Sequence, residues 1–384
     1  SQKLDMESLQ MNKSFAGLMT SLLFISAHSH AASPYFSLKD GDGFKRFSVS
    51  AGWLHAMPQG KANPVRINTP IAEGTQSKVG DVSTDSVLNA IDQSTVSGKA
   101  WYTLLNSGYK GLLGGNTLPA ALSGTATING LSQWEAPNSG LEADDVDTLG
   151  LLFNYNFTDN LSLEIKGGIP PKVDILGKGT IYAPLSGAAT PLKDGSLLGD
   201  ALGNIIGEAG GNIPLKQDIK ITDLSQGKRA SSVRAWLPAA ELQYQFGKSG
   251  VNKFRPYVGV GVMYAYFNDV KLNPGIESDL ITAGNMIRNI QDNKAGAALD
   301  KKTSSANPVV KVDAADAFAP IATVGATYDF NDSWFAVGSV SYAKLNSEAK
   351  ITVTDGNTGA ELINSKTKID IDPIITYVGV GYRF

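Results

Sequence analysis

The sequence predicts an all-β protein, an eight-stranded antiparallel transmembrane β-barrel with long, partly helical extracellular loops. Three observations carry that expectation. Eight segments alternate apolar and polar residues with the period-two repeat of a strand. The links between them alternate short and long, as in barrels with tight periplasmic turns and large extracellular loops. Aromatic residues gather near segment ends, as at a membrane interface.

The amino terminus reads as an export signal, with the true start at Met6 or Met11 left open. Met11-Asn12-Lys13-Ser14 is a short basic start, residues 15–27 are an apolar core, and Ser29 and Ala31 are small residues placed for a cut after Ala31. Residues 1–31 are therefore expected to be removed, and residues 32–384 to form the barrel. The eight segments are residues 44–58, 146–157, 161–175, 233–246, 254–267, 318–330, 333–353 and 368–384. Short links lie at 158–160, 247–253 and 331–332, and long ones at 59–145, 176–232, 268–317 and 354–367. One face of each segment suits lipid: Leu149, Leu151 and Phe153 in the second, Val258, Val260 and Val262 in the fifth, Val378 and Val380 in the last.

Composition narrows the function. Charged residues make up 18% and the formal net charge is −3, so no nucleic-acid footprint is expected. There is no cysteine, and of three histidines only His55 lies outside the expected export signal. A Ser-His-Asp triad or a multi-histidine metal site has almost no material. No enzyme activity, cofactor or metal is expected, and His55 reads as an interfacial residue beside Trp53. Asp144, Asp145 and Asp147 read as solvated loop charge, because no calcium-loop spacing surrounds them.

Eight strands enclose a lumen that side chains can fill or that holds one small ligand. The inward residues fall into two zones. Leu54, Leu152, Leu237, Met263, Phe267, Ile321, Ile375 and Tyr377 form an upper apolar cup. Glu164, Lys166, Glu241, Arg255, Asp329 and Arg383 form a charged periplasmic floor, expected to close as an ion-pair network because buried charges must be paired. The competing reading is that a thin barrel packs its own lumen with whatever fits. Pro170, Pro171, Pro238 and Pro373 interrupt strands and mark a candidate lateral window, since each removes a ladder hydrogen bond. The competing reading is proline at a frayed strand end, which also suits Pro58. In the long links, helical spacing appears over residues 198–209, in DSVLNAIDQ, in WYTLLNSGYKGLLGG and in GIESDLITAGNMIRNIQ. They are expected to form an amphipathic extracellular cap.

Four stretches carry a family resemblance: SVSAGWLHAMPQGKA, FNYNFTDNLSLEIKGGIPPKVDI, FRPYVGVGVMYAYF and KIDIDPIITYVGVGYRF. They resemble the OmpW family of small outer-membrane barrels, which includes an alkane importer. The resemblance implies a hydrophobic internal channel with a sideways exit into the membrane, and a Gram-negative outer-membrane location. It also implies that Phe384 is the aromatic signal read by the barrel assembly machinery. The departure is length: the first three long links exceed the family's. The expected function is passive uptake of small hydrophobic molecules, with outer-membrane lipid and lipopolysaccharide as surroundings. The alternative is a surface interaction protein whose large loops bind a protein partner and whose barrel is an anchor.

Overall fold

The computed structural model describes residues 44–191 and 211–384. The export-signal reading and the helical pattern over 198–209 lie outside the described residues.

The barrel strands are β1 (Phe47–Pro58), β2 (Val146–Asn156), β3 (Leu161–Gly168), β4 (Ala239–Gln245), β5 (Phe254–Leu272), β6 (Ala317–Asp329), β7 (Trp334–Ala343) and β8 (Pro373–Arg383). Each pairs antiparallel with its neighbours in chain order, and β1 pairs with β8 from Ser48↔Arg383 to Pro58↔Pro373. That last pairing closes the sheet on itself, so no barrel strand is left as a free edge in lipid. Outward residues include Leu149, Val258, Val260, Val262, Val378 and Val380, all exposed. The girdle at the turn end is ordered by edge-on contacts, among them Tyr155–Phe157, Tyr244–Phe246, Trp334–Tyr382 and Tyr382–Phe384. At the opposite end the rings of Trp53 and His55 stack, and Asp147 accepts hydrogen bonds from the Trp53 indole and pairs with His55 Nδ1 at 2.7 Å.

Above the barrel the long links are partly helical, as expected, and they also build further sheets. A four-stranded sheet runs in the order Ile213–Asp223, Thr180–Thr190, Thr125–Asn129, Thr75–Lys78. A five-stranded sheet runs Pro308–Ala314, Asn346–Asp355, Glu361–Asp370, Val65–Asn68, Gln133–Ala136. Two of these strands, Asn346–Asp355 and Glu361–Asp370, continue β7 and β8 upward, so the seventh segment is two strands joined at Lys344–Leu345. Helices α1 (Thr84–Ala90) and α2 (Val96–Thr103), followed by a π-helical stretch Leu104–Leu112, lie in the first link.

The longest helix among the described residues, α3 (Pro274–Gln291), is a core element rather than a surface one. Asn273 caps it by accepting from the Gly275 and Ile276 amides, and Pro274 occupies the first turn, where a missing N–H costs nothing. Its spacing buries Ile276, Leu280, Met286, Ile287 and Ile290 against both cap sheets. Arg288 fixes its far end through Asp355 at 3.3 Å. The backbone N–H groups of Asn357 and Asn307 hold the Asp355 carboxyl below its ordinary range, with Thr358 and Arg288 adding to the effect against the opposing cost of burial. A depressed folded-state value means that this contribution is complete above the ordinary carboxyl range and is lost as pH falls through the folded value. Hydrogen exchange of α3, corrected for intrinsic rates, is therefore expected to show full protection near neutrality and loss below about pH 4. Protection unchanged to pH 2 would remove Asp355 as the anchor.

Candidate functional site: an apolar cup, a plugged floor and a break in the wall

The lumen is closed below by aromatic rings lying over glycines. A Cβ on Gly325 would sit 2.6 Å from the Tyr257 ring, and one on Gly381 2.2 Å from the Phe335 ring. Tyr377 covers Gly150 in the same way and bonds Ser50 Oγ through its hydroxyl at 2.7 Å. These rings pack with Leu152 and Val337 into one buried cluster. The facing glycines are what give an eight-stranded cylinder room for the rings.

Charge supplies the second part of the floor, in separate units rather than one network. Lys166 Nζ stands 2.7 Å from Glu241 and 3.5 Å from Glu164, and donates to Thr323 and Ser341 hydroxyls. Thr323 also donates to Glu241. Arg255 does not join them. It starts β5, so its guanidinium turns down to Asp159 at 3.1 Å and to the carbonyls of Asp159, Phe246 and Gly247. Burial disfavours the charged form of Asp159, but the hydroxyl and amide of Ser249 and the Arg255 guanidinium outweigh it and hold the carboxyl below its ordinary range. Arg383 pairs with Asp329 at 2.7 Å and stacks over the Phe335 ring. Each charge thus has a partner within reach of its own strand end, which a lumen this narrow requires.

Above this floor lies a cavity of about 60 Å³. Leu54, Leu152, Leu237, Met263, Ile321, Ile375 and Tyr377 line it, with Lys166 and Ser341 at its base. Phe267 lies one storey higher. It lines a second apolar cavity of about 90 Å³, with Ala56, Val146, Ala235 and Leu237 common to both walls.

The lower cavity also reaches the wall. The β3–β4 ladder runs from Leu161↔Tyr244 to Lys166↔Ala239 and resumes at Lys172↔Arg234 in the strands above. Between these pairs, residues 167–171 and 235–238 form a slit. Its lips are held to the strands behind them: Ile169 N–H donates to Leu149 O at 3.0 Å, and Tyr264 N–H to Pro238 O at 2.9 Å. Arg234 Nη1 donates to Pro170 O at 2.9 Å and Ala235 N–H to Pro171 O at 3.1 Å, closing the slit at its top. Pro170, Pro171 and Pro238 carry no N–H, so the slit leaves few unpaired donors toward hydrocarbon. Gly167, Gly168, Ile169, Pro170, Pro171 and Leu237 all line the cavity, and Ile169 is also 56% exposed on the outer surface. Pro373 is elsewhere. It opens β8 opposite Pro58, where the cap strand hands over to the barrel, three strands away from the slit.

Several members of the site carry little sequence signal. Thr323, Ser341 and Gln243 are ordinary inward polar residues whose value lies in meeting Lys166, Glu241 or Asn154 across the lumen. Asp159 sits in a turn where it reads as turn chemistry. Among the described residues no group of three or more His, Cys, Asp or Glu side chains is placed to hold a metal ion.

A closed antiparallel cylinder, lipid-suited outside, belted with aromatics and plugged within, defines an outer-membrane β-barrel of a Gram-negative cell. Residues 296–384 match the OmpW family. Outer membrane protein W of Vibrio cholerae is 26% identical over 246 residues, spanning 64% of this chain and 77% of that protein. Over these stretches the chain is similar to the OmpW family. Among solved structures it is similar to OprG of Pseudomonas aeruginosa, with a TM-score of 0.45, 16% identity and 90% and 99% of the two chains covered. It is also similar to AlkL in lipid bilayers, with a TM-score of 0.33, 17% identity and 91% and 95% coverage.

Proposed function

We propose that this barrel carries small hydrophobic molecules passively from the outside into the apolar cup and releases them sideways into the membrane between β3 and β4. The observation that carries the reading is the single cavity with apolar walls, a charged base at Lys166 and a side reaching the slit between residues 167–171 and 235–238. A guest without charge or hydrogen-bonding groups finds favourable surface in the cup. It cannot continue downward, because the floor is packed rings and paired charges. The lateral path presents Ile169, proline rings and bare glycine, not polar backbone. Each cavity is smaller than the roughly 150 Å³ apolar void that takes benzene, but the two adjoin, so slender or flexible guests fit best.

Met263→Glu tests this. Met263 is 2% exposed and lines the cup. Uptake of an alkane tracer into proteoliposomes is expected to fall at least tenfold while Val309→Glu, on the exposed cap surface, leaves it intact. Unchanged uptake in a folded Met263→Glu barrel contradicts the reading.

A second reading rests on the rim of the cap, where Val96, Leu112 and Leu113 are exposed around the π-helical stretch. Large apolar side chains there suit an anchor that presents a surface to a protein or to lipopolysaccharide. Leu112→Ser with Leu113→Ser separates the two: loss of surface attachment with normal uptake favours the second.

A further inference from the structure

The long links build a chamber that the uptake route just described does not use. It has a volume of about 120 Å³ and lies in the cap between the two sheets and α3. Ile128 and Ile219 come from the four-stranded sheet, Ile67 and Ile363 from the five-stranded sheet, and Met286 and Ile290 from α3. All four long connections contribute wall residues, so the chamber is assembled by the cap as a whole. It shares no wall residue with the 90 Å³ cavity below. The partition is α3 itself, whose Ile276 faces the lower cavity while Leu280 and the turns after it face the chamber.

The chemistry of the wall is narrow. Its two hydroxyl side chains are already committed: Thr69 donates to Leu131 O at 2.6 Å and Ser365 to Ile351 O at 3.0 Å. Among the described residues no charged side chain lines it. Trp134 lines it too, and its buried indole N–H has no hydrogen-bond partner among the described residues. Protein interiors leave few voids larger than a water molecule, and a void of this size forfeits dispersion contacts along its whole wall. Apolar voids stay dry, and one of roughly 150 Å³ takes benzene.

We propose that this chamber is a second binding site, for one small neutral hydrocarbon: a single aromatic ring or a short alkane, with at most one hydrogen-bond acceptor for the Trp134 N–H. It deepens the uptake reading by naming a guest size, yet occupancy of the chamber does not require passage through the lumen. The flexible Met286 thioether is the adaptable part of the wall.

The test uses the full chain in detergent micelles and benzene as the probe, read at the Met286 methyl by NMR. Benzene is expected to shift that signal saturably in the native chain. Ala283→Leu, which fills the chamber from a buried position on α3, is expected to weaken the response at least tenfold. Ile290→Phe serves as a second filling variant should Ala283→Leu not fold, with the barrel's resistance to heat unfolding as the fold check. The proposal fails if the native Met286 methyl does not respond, or if a folded filling variant responds as strongly as the native chain. Met263→Glu separates it from the uptake reading. A normal Met286 response in that variant supports the chamber whether or not uptake is lost, and uptake that persists overturns the lumen route alone.

Discussion

Lys166→Met is expected to destabilise the folded barrel by about 3–5 kcal/mol, the range for removing one partner of a buried ion pair. The size of the effect follows from what remains. Glu164 and Glu241 are opposite one another in the β3–β4 ladder, both almost fully buried, and Lys166 is the cation that reaches each of them. Without it, two carboxylates face each other in a lumen with no room for a hydration shell. Thr323 and Ser341 lose a donor at the same time. Urea unfolding in lipid vesicles measures the loss, and Thr323→Val, which removes a single hydroxyl, is expected to cost nearer about 1–2 kcal/mol. A Lys166→Met barrel within about 1 kcal/mol of the native one would mean that the two carboxylates are not held by this cation.

Phe335→Ala is expected to cost a similar amount, about 3–5 kcal/mol, and to change the electrical behaviour as well. Phe335 is buried over Gly381 and carries the Arg383 guanidinium on its face at 4.2 Å. Removing the ring opens the lower lumen at a level where the facing residue, Gly381, has no side chain to fill the space. Planar-bilayer recordings are expected to show almost no ion current for the native barrel and discrete conductance steps for Phe335→Ala. The opposite error, Gly381→Val, overpacks the same spot and is expected to cost about 1–3 kcal/mol without opening a path. A silent Phe335→Ala variant would place the seal at Tyr257 and Tyr377 instead.

The barrel was legible because its physics is local. Period-two alternation needs only the strand's own residues, and the short links at 158–160, 247–253 and 331–332 fix which strands are neighbours. Pro170, Pro171 and Pro238 were legible as ladder breaks for the same reason. Their coming together depends only on β3 and β4 being adjacent. What escaped depends on partners set by three-dimensional closure. Nothing near Phe335 in sequence announces Gly381, and nothing near Arg255 announces that Asp159, in a turn, is its carboxylate. Pro373 looked like the other prolines but belongs to the hand-over between cap and barrel. The cap strands were hidden by their Gly, Ser and Thr content and by a sheet order that jumps between connections, whereas α3 showed itself through Ile276, Leu280, Ile287 and Ile290.

The proposed route takes guests out through the slit between β3 and β4. The chain contains no cysteine, so Leu237→Cys creates a unique thiol on the lip of the slit, in the wall of the cup. Uptake of an alkane tracer is measured before labelling, after complete labelling with a bulky, reversible thiosulfonate, and after reduction. The lateral route predicts at least a tenfold fall on labelling and full recovery when the group is removed. Undiminished uptake by a fully labelled barrel would contradict it.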